Sequence, residues 1–229
     1  MEPAQPADLA DTSPARPAGE DRPNPAVRAV LFDFGGVIID SPFEAFTRYE
    51  QRHGLPDGFI RSLNARNPHD NAWARLERNE IDFDGFCTAF AAEAEAAGGH
   101  VDARELFVAM NGTFKPGMVD AVRACRRHFR TGLLTNNFVT PLSGSTHADV
   151  VHLFDVVVES AVVGIRKPQP DFYLLACDRL GIEPHQAVFL DDLGVNLKPA
   201  RALGMTTIKV TDPPGALAEL QEVLGITLG

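Results

Sequence analysis

The stretch Arg28–Asp40, R-A-V-L-F-D-F-G-G-V-I-I-D, predicts both the fold class and the position of a site. Four apolar or small residues lead directly into Asp33, and such a short continuous run is typical of a strand buried on both faces. Asp33 would lie at the carboxyl end of that strand, where open α/β sheets bind ligands. Gly35 and Gly36 allow the backbone to turn sharply beside it. We interpret the stretch as a functional site; the alternative is an Asp that caps a β-turn.

The composition is that of a soluble globular protein, with 229 residues of which 23% are charged and 45% hydrophobic. A formal net charge of −10 argues against nucleic acid or an anionic membrane as the main partner. Cys87, Cys125 and Cys177 are far apart, which indicates reduced core thiols rather than disulfides or a zinc site. The sequence shows no signal-peptide pattern and no apolar run of about 20 residues. We therefore expect a cytoplasmic protein.

The pattern along the chain divides it into three parts. Residues 1–26 contain six prolines and one leucine, which predicts a disordered tail that can be deleted without loss. Residues 47–112 contain helical patterns with no strand between them, which predicts a small helical insert. Residues 27–46 and 113–229 form the predicted core. The helices expected in and beside the insert are Phe43–His53, Gly58–Leu63, Asn71–Arg78, Phe83–Ala97 and Ala103–Asn111.

After residue 115, strand and helix patterns alternate regularly. The expected strands are Thr131–Leu134, Val156–Glu159, Ala187–Leu190 and Thr206–Val210. The expected helices are Pro116–His128, Ala148–Leu153, Pro170–Leu180, Asn196–Leu203 and Ala216–Leu224. This alternation predicts an α/β fold with a doubly wound, mostly parallel, Rossmann-like sheet and right-handed crossovers.

Polar residues follow several of these strands, and parallel strands bring their carboxyl ends to one edge of a sheet. The residues expected there are Asp33, Thr135, Asn136, Lys167, Asp191 and Asp192. Crowded carboxylates repel one another unless a hard cation or a lysine lies between them. A hydroxyl and backbone amides beside a lysine can bind a phosphate. We therefore predict a site for a cation and a phosphate at this edge.

The first half of the insert is rich in arginine. These residues are Arg48, Arg52, Arg61, Arg66, Arg75 and Arg78. Two interpretations remain open: a solvated helix face, or one or two side chains that reach an anionic substrate.

The motifs resemble those of a known family. Asp33-Phe34-Gly35-Gly36-Val37, Thr135-Asn136, Lys167-Pro168 and Asp191-Asp192 resemble, in this order, the four motifs of the haloacid dehalogenase-like hydrolases. The stretch 189–201 is similar to the N-terminal phosphatase domain of soluble epoxide hydrolase and to the corresponding domain of the tenth acyl-CoA dehydrogenase family member. The resemblance covers about residues 28–229, and the helical insert is similar to the family's cap domain.

The resemblance implies a role for each motif residue. Asp33 would be the nucleophile that forms an aspartyl-phosphate, and Lys167 would hold Asp33 and the phosphate together. Thr135 and Asn136 would bind the phosphoryl oxygens. Mg²⁺ would be ligated by Asp33, Asp192 and the backbone carbonyl of Gly35, with Asp191 and Asn196 behind them. The implied substrate is a small phosphorylated metabolite, and the implied assembly is a monomer or a homodimer.

One position departs from the family pattern. Phosphatases of the family usually carry a second Asp two residues after the nucleophile, where it protonates the leaving group and then activates water. Gly35 occupies that position here. We expect a Mg²⁺-dependent phosphatase, with two alternatives: a catalytically impaired module that binds phosphorylated ligands, and a dehalogenase-type hydrolase that uses Asp33. If another group supplies the proton, His53 and His69 are the first candidates.

Overall fold

The computed structural model describes residues 21–110, 112–138 and 147–228. Its centre is a five-stranded sheet in the order β3-β2-β1-β4-β5, with every neighbouring pair parallel. The strands are β1 (Ala29–Phe32), β2 (Arg130–Thr135), β3 (Val156–Glu159), β4 (Ala187–Asp191) and β5 (Thr206–Lys209). The apolar run before Asp33 therefore forms the middle strand, and all four of its residues are buried.

Helices cover both faces of the sheet, and a further group of helices has its own hydrophobic cluster. Before β2 they are α1 (Pro42–His53), α2 (Phe59–Ala65), α3 (Ala72–Glu77), α4 (Phe83–Ala96), α5 (Ala103–Ala109) and α6 (Pro116–Cys125). After β2 they are α7 (Ala148–Val151), α8 (Ser160–Val163), α9 (Pro170–Leu180), α10 (Gly194–Ala202) and α11 (Pro213–Leu224), with a 3₁₀ turn at Pro184–Gln186. Of these, α8 and the 3₁₀ turn are not predicted from the sequence.

Alternate residues of β1 face two different hydrophobic clusters. Val30 and Phe32 pack with α6, α7 and α11, whereas Ala29 and Leu31 pack with α9 and α10. This two-sided burial explains why β1 is a continuous apolar run rather than an alternating one. The predicted doubly wound, mostly parallel α/β sheet is confirmed.

A third hydrophobic cluster is formed by α1 to α5, with Phe86, Phe90 and Leu106 completely buried in it. We propose these five helices as the cap. The predicted boundary between core and cap, after residue 46, lies inside α1, and Phe46 packs in the third cluster. We therefore propose that the cap begins at the start of α1, because Phe46 and Tyr49 of this helix both belong to that cluster.

The start of the described chain also differs from the prediction. Residues 21–26 were expected to belong to a disordered tail, whereas the Arg22 amide donates to the Gly225 carbonyl (2.9 Å). The Asn24 amide donates to the Leu224 carbonyl (2.8 Å), and its side chain donates to Val223 (3.0 Å). These bonds pair residues 21–24 with the end of α11. The rest of the predicted tail, residues 1–20, lies outside the described residues. Among the helices described, none has the length and apolar character that a membrane crossing requires.

Candidate active site

The order of the strands places three motifs at one point. From β1 the chain goes to β2 and β3 on one side of the sheet, and it returns to β4 and β5 on the other side. Such a reversal creates a crevice at the carboxyl ends of the strands. Asp33 follows β1, Thr135 ends β2 and Asp191 ends β4. The sheet therefore brings these three residues, which are far apart in sequence, to the same crevice.

Asp33 is buried and is held by two donors on one oxygen. The Phe34 amide donates to Asp33 Oδ1 at 2.6 Å, and Lys167 Nζ lies 2.7 Å from the same oxygen. Among the hydrogen bonds of the described residues, none involves Asp33 Oδ2. Burial raises the pKa of the Asp33 carboxyl well above its usual range; Lys167 opposes this shift, and the Asp191 carboxylate adds to it. Two buried carboxylates, Asp33 and Asp191, therefore share the ammonium group of Lys167.

Asp191 is fully buried, and other residues bind both of its oxygens. The Leu193 amide donates to Oδ1 (2.8 Å), the Asn196 amide group lies 3.1 Å from both oxygens, and Lys167 Nζ donates to Oδ2 (2.8 Å). Burial alone would lower the pKa of Lys167, but the carboxylates of Asp191 and Asp33 raise it. Asp191 and Asn196 therefore hold the lysine and the loop that follows β4.

Asp192 completes a group of three carboxylates with Asp33 and Asp191, in which one oxygen of each lies within 4.8 Å of the others. Burial, with a further contribution from Asp191, raises the pKa of Asp192 to about 6. Gly36 has φ +81°, and a Cβ added to it would overlap the Asp192 carboxylate. Only glycine fits both the backbone conformation and the space at this position. Three crowded acids with one lysine are a donor set that fits a hard divalent cation.

Thr135 and Asn136 differ in what their side chains bind. Thr135 is buried and lines the cleft, and its hydroxyl makes no hydrogen bond with any described residue. The Asn136 side chain instead binds the backbone of Lys167: its Oδ1 accepts from the Lys167 amide (2.9 Å), and its Nδ2 donates to the Lys167 carbonyl (3.0 Å). Asn136 therefore fixes the loop that carries the lysine, which leaves its backbone amide as its potential contact to a phosphate.

A cleft of about 570 Å³ connects these residues to the proposed cap. Its core side includes Asp33, Thr135, Asn136, Lys167, Asp192 and Asn196. Its cap side includes Phe43, Phe46, Arg61, His69, Trp73 and Glu77. Of the site residues implied by the family resemblance, all except Asp191 line this cleft, and Asp191 instead contacts Lys167.

Some predicted cap residues lie elsewhere. All six arginines singled out in the sequence are described, and of these only Arg61 lines the cleft, with its Cζ 4.4 Å from the centre of the Phe43 ring. His69 lines the cleft, whereas His53 pairs with Glu105 at 3.1 Å outside it. Arg166 and Glu77 also line the cleft and were not predicted from the sequence. The one sequence signal for Arg166 is its position next to Lys167.

Comparisons with known proteins identify the family and several relatives of this chain. Residues 27–204 match the family described as haloacid dehalogenase-like hydrolase. Acyl-CoA dehydrogenase family member 10 of Mus musculus is 37% identical over 88% of this chain and 19% of its own length. Bifunctional epoxide hydrolase 2 of Sus scrofa is 34% identical over 89% of this chain and 40% of its own length. The chain thus spans less than half the length of these two relatives, both of which the sequence analysis anticipated.

Two further comparisons cover nearly the whole of the other protein. The fructose-1-phosphate phosphatase YqaB of Escherichia coli is 39% identical over 79% of this chain and 95% of its own length. The solved structure of a HAD-family enzyme from Bacteroides thetaiotaomicron, in complex with magnesium and inorganic phosphate, has a TM-score of 0.55. It is 20% identical over 80% of this chain and 93% of the other, so this likeness concerns the fold. Because the family match covers residues 27–204, the chain belongs to the haloacid dehalogenase-like hydrolases.

Proposed function

We propose that the protein is a Mg²⁺-dependent phosphatase that hydrolyses a small phosphomonoester through an aspartyl-phosphate on Asp33. The observation that carries this proposal is the position of Asp33 in the crevice, with Lys167 at 2.7 Å and two further carboxylates beside it. YqaB is named a phosphatase, and it matches this chain over nearly its whole length. Both facts favour phosphate chemistry at this crevice.

Asp33 is the proposed nucleophile. Its Oδ1 is held by the Phe34 amide and by Lys167, so the carboxyl group is fixed and Oδ2 is available to attack phosphorus. The attack requires an ionised carboxylate, whereas burial raises the pKa of this group. A positive charge near Asp33 would therefore favour the reactive form.

The proposed phosphate contacts are the Thr135 hydroxyl, the Asn136 backbone amide and Lys167 Nζ. The hydroxyl is free to donate, and the ammonium group lies beside the nucleophile. Charge-assisted hydrogen bonds of this kind are about twice as strong as neutral ones. Together they would orient the phosphoryl group toward Asp33.

The residues fit a Mg²⁺ site. Asp33, Asp192 and the carbonyl of Gly35 would hold the ion, and Asp191 with Asn196 would keep Lys167 and the β4 loop in place. When bound, Mg²⁺ would offset the carboxylate repulsion and stabilise the charge that develops on the transferred phosphoryl group. Oxygen donors from carboxylates and a backbone carbonyl are the ligands this ion prefers.

Gly35 supports a second candidate function. A Cβ added here would meet only Pro42 Cδ, at 3.6 Å, and Gly35 lines the cleft, so the structure does not explain the absence of a side chain at this position by a clash at Cβ. A positioned acid/base group typically contributes about 10²–10⁴-fold to the rate. A module that binds a phosphorylated ligand without turnover would explain this glycine. Dehalogenase-type chemistry fits less well, because three acids at the site would repel a carboxylate substrate.

Turnover of a panel of phosphorylated metabolites, with and without Mg²⁺, distinguishes these functions. The phosphatase proposal predicts phosphate release that requires Mg²⁺ and is abolished in Asp33→Asn, a change that keeps the side-chain shape and removes the charge. Binding of panel members without release would support the impaired module instead. Halide release from haloacids that is indifferent to EDTA would support the dehalogenase alternative.

A further inference from the structure

Two neighbouring residues of one loop bind opposite sides of the cleft. Lys167 Nζ lies 2.7 Å from Asp33 Oδ1 in the core. Arg166 Nε lies 2.6 Å from Glu77 Oε2 in α3, and Arg166 Nη1 donates to the Pro68 carbonyl at 3.0 Å. The proposed phosphate-binding lysine and a contact to the cap are therefore adjacent in the chain.

The Arg166–Glu77 pair is largely buried, with side chains 17% and 8% exposed. Glu77 Oε1 also accepts a hydrogen bond of 3.0 Å from Trp73 Nε1. An ion pair in such a place is strongly disturbed when one partner is removed, because the other charge remains buried and uncompensated. The Arg166–Glu77 ion pair therefore requires that α3 and the loop carrying Lys167 keep their relative position.

The loop between the two contacts is fixed at its backbone. Asn136 binds both the amide and the carbonyl of Lys167, at 2.9 and 3.0 Å. Phe138, two residues after Asn136, contacts the cap through Phe107, with ring centres 4.4 Å apart. Both loops that carry proposed phosphate contacts therefore also contact the cap.

We propose that Arg166 and Glu77 are positioning residues that couple the cap to Lys167. The inference rests on the proposed function, because it assumes that Lys167 binds the phosphoryl group. Coupling between two sites is reciprocal. Phosphate bound at Lys167 therefore stabilises the cap contact, and the cap contact strengthens phosphate binding.

A direct role of Arg166 in binding the phosphate makes the opposite prediction for Glu77. If Arg166 bound the anion itself, Glu77→Gln would release the guanidinium and remove a negative charge from the cleft, so phosphate would bind more tightly. In a coupling role the same change breaks the cap contact, so phosphate binds more weakly. The sign of the Glu77→Gln effect therefore separates the two roles.

The experiment measures the affinity for inorganic phosphate by calorimetry, in the presence of Mg²⁺, well below the unfolding temperature. We expect Arg166→Gln and Glu77→Gln each to weaken binding by roughly 5-fold or more, the lower end of typical coupling. The double variant should be no weaker than the single variants, because the two residues act as one unit. Arg78→Gln is the matched control: Arg78 pairs with Glu80 at 2.6 Å and donates to the His69 carbonyl, but all its partners lie in the cap.

Trp73 provides a second readout, since it is the only tryptophan in the chain. Phosphate should change its fluorescence in the wild-type protein and in Arg78→Gln, but not in Glu77→Gln. If a Gln variant does not fold, Arg166→Lys keeps the charge while losing the two-point contact, and it should also weaken phosphate binding.

Unchanged or tighter phosphate binding in Glu77→Gln would overturn the inference, as would an undiminished Trp73 response in that variant. If Arg166→Lys is used because a Gln variant does not fold, wild-type affinity for phosphate in Arg166→Lys would also overturn the inference. A wild-type protein that binds no phosphate would contradict the proposed function and the inference together. Normal wild-type binding with unaffected variants would contradict the inference alone.

Discussion

At the scale of single residues, two adjacent glycines have different reasons to be glycine. Gly36 has a positive φ and lies against the Asp192 carboxylate, and its carbonyl accepts a hydrogen bond of 2.7 Å from Lys115 Nζ. Gly35 has neither a positive φ nor a close neighbour. The site geometry therefore requires glycine at position 36. At position 35 the geometry does not require glycine, and the consequence of Gly35 is that no side-chain acid is present there.

This difference predicts unequal effects of the same substitution. Gly36→Ala would displace Asp192 and strain the backbone, so it should remove the rise in melting temperature that Mg²⁺ gives by binding the folded state. Gly35→Ala is the matched control and should keep that rise. Melting curves with and without Mg²⁺ measure both; a full Mg²⁺ response in Gly36→Ala would place the metal away from Asp192.

Gly35 also predicts a preference among substrates. Without an acid at this position, the rate should depend on how readily the leaving group departs unprotonated, so aryl phosphates should be cleaved faster than alkyl phosphates. Gly35→Asp should narrow this gap by up to about 10²-fold, by accelerating the alkyl esters. Gly35 has no positive φ, and a Cβ added to it would make only an ordinary contact with Pro42, so neither the backbone nor the first side-chain atom opposes this variant. Equal rates for the two ester classes in the wild type, with chemistry rate-limiting, would point to another donor, and His69 would be the first residue to change.

At the scale of elements, the cap depends on a buried acid that the sequence pattern does not reveal. Glu50 in α1 is 1% exposed, and its carboxylate accepts from the amides of Gly58 and Ile60, both at 2.8 Å. The Gly58 N-cap has no side chain to cap α2. Glu50 therefore supplies the missing cap from a neighbouring helix.

Glu50→Ala should lower the free energy of unfolding by about 1–3 kcal/mol, because it leaves one buried and one partly buried amide donor without an acceptor. Urea denaturation followed by circular dichroism measures this loss. Glu44→Ala is the control in the same helix, because Glu44 is exposed and its ion pair with Arg48 is long, at 3.9 Å. This substitution should change the free energy of unfolding by less than about 0.5 kcal/mol. Equal effects of the two substitutions would contradict the capping role.

At the scale of the whole molecule, the start of the described chain is part of the fold. Residues 21–24 make three hydrogen bonds to the end of α11 through Arg22 and Asn24. We therefore expect deletion of residues 2–26 to reduce stability by about 1–3 kcal/mol, contrary to the expectation from composition. Deletion of residues 2–20 keeps all these bonds and serves as the control. Identical denaturation midpoints for the two truncated proteins would show that residues 21–26 do not contribute to stability, as the composition predicts.

The sheet and the core of the site could be predicted because local patterns encode them. The apolar run before Asp33 and the regular alternation after residue 115 specify parallel strands, whose ends bring the motif residues together. The Arg166–Glu77 pair and the Glu50 cap could not be predicted, because they join residues that meet only when helices pack against the core or against each other. The Asn136 side chain binds the backbone of Lys167, in the loop after β3, and this contact likewise could not be predicted from the sequence near Asn136.

The most direct test of the account is detection of the covalent intermediate. The protein is mixed with an aryl phosphate and Mg²⁺, quenched in acid within the first turnover and analysed by peptide mass spectrometry. We predict one phosphoryl group on Asp33, none in Asp33→Asn, and accumulation of the adduct in the wild type because Gly35 provides no base to activate water. Turnover of the aryl ester with no phosphoryl group on Asp33, and at an undiminished rate in Asp33→Asn, would contradict the account.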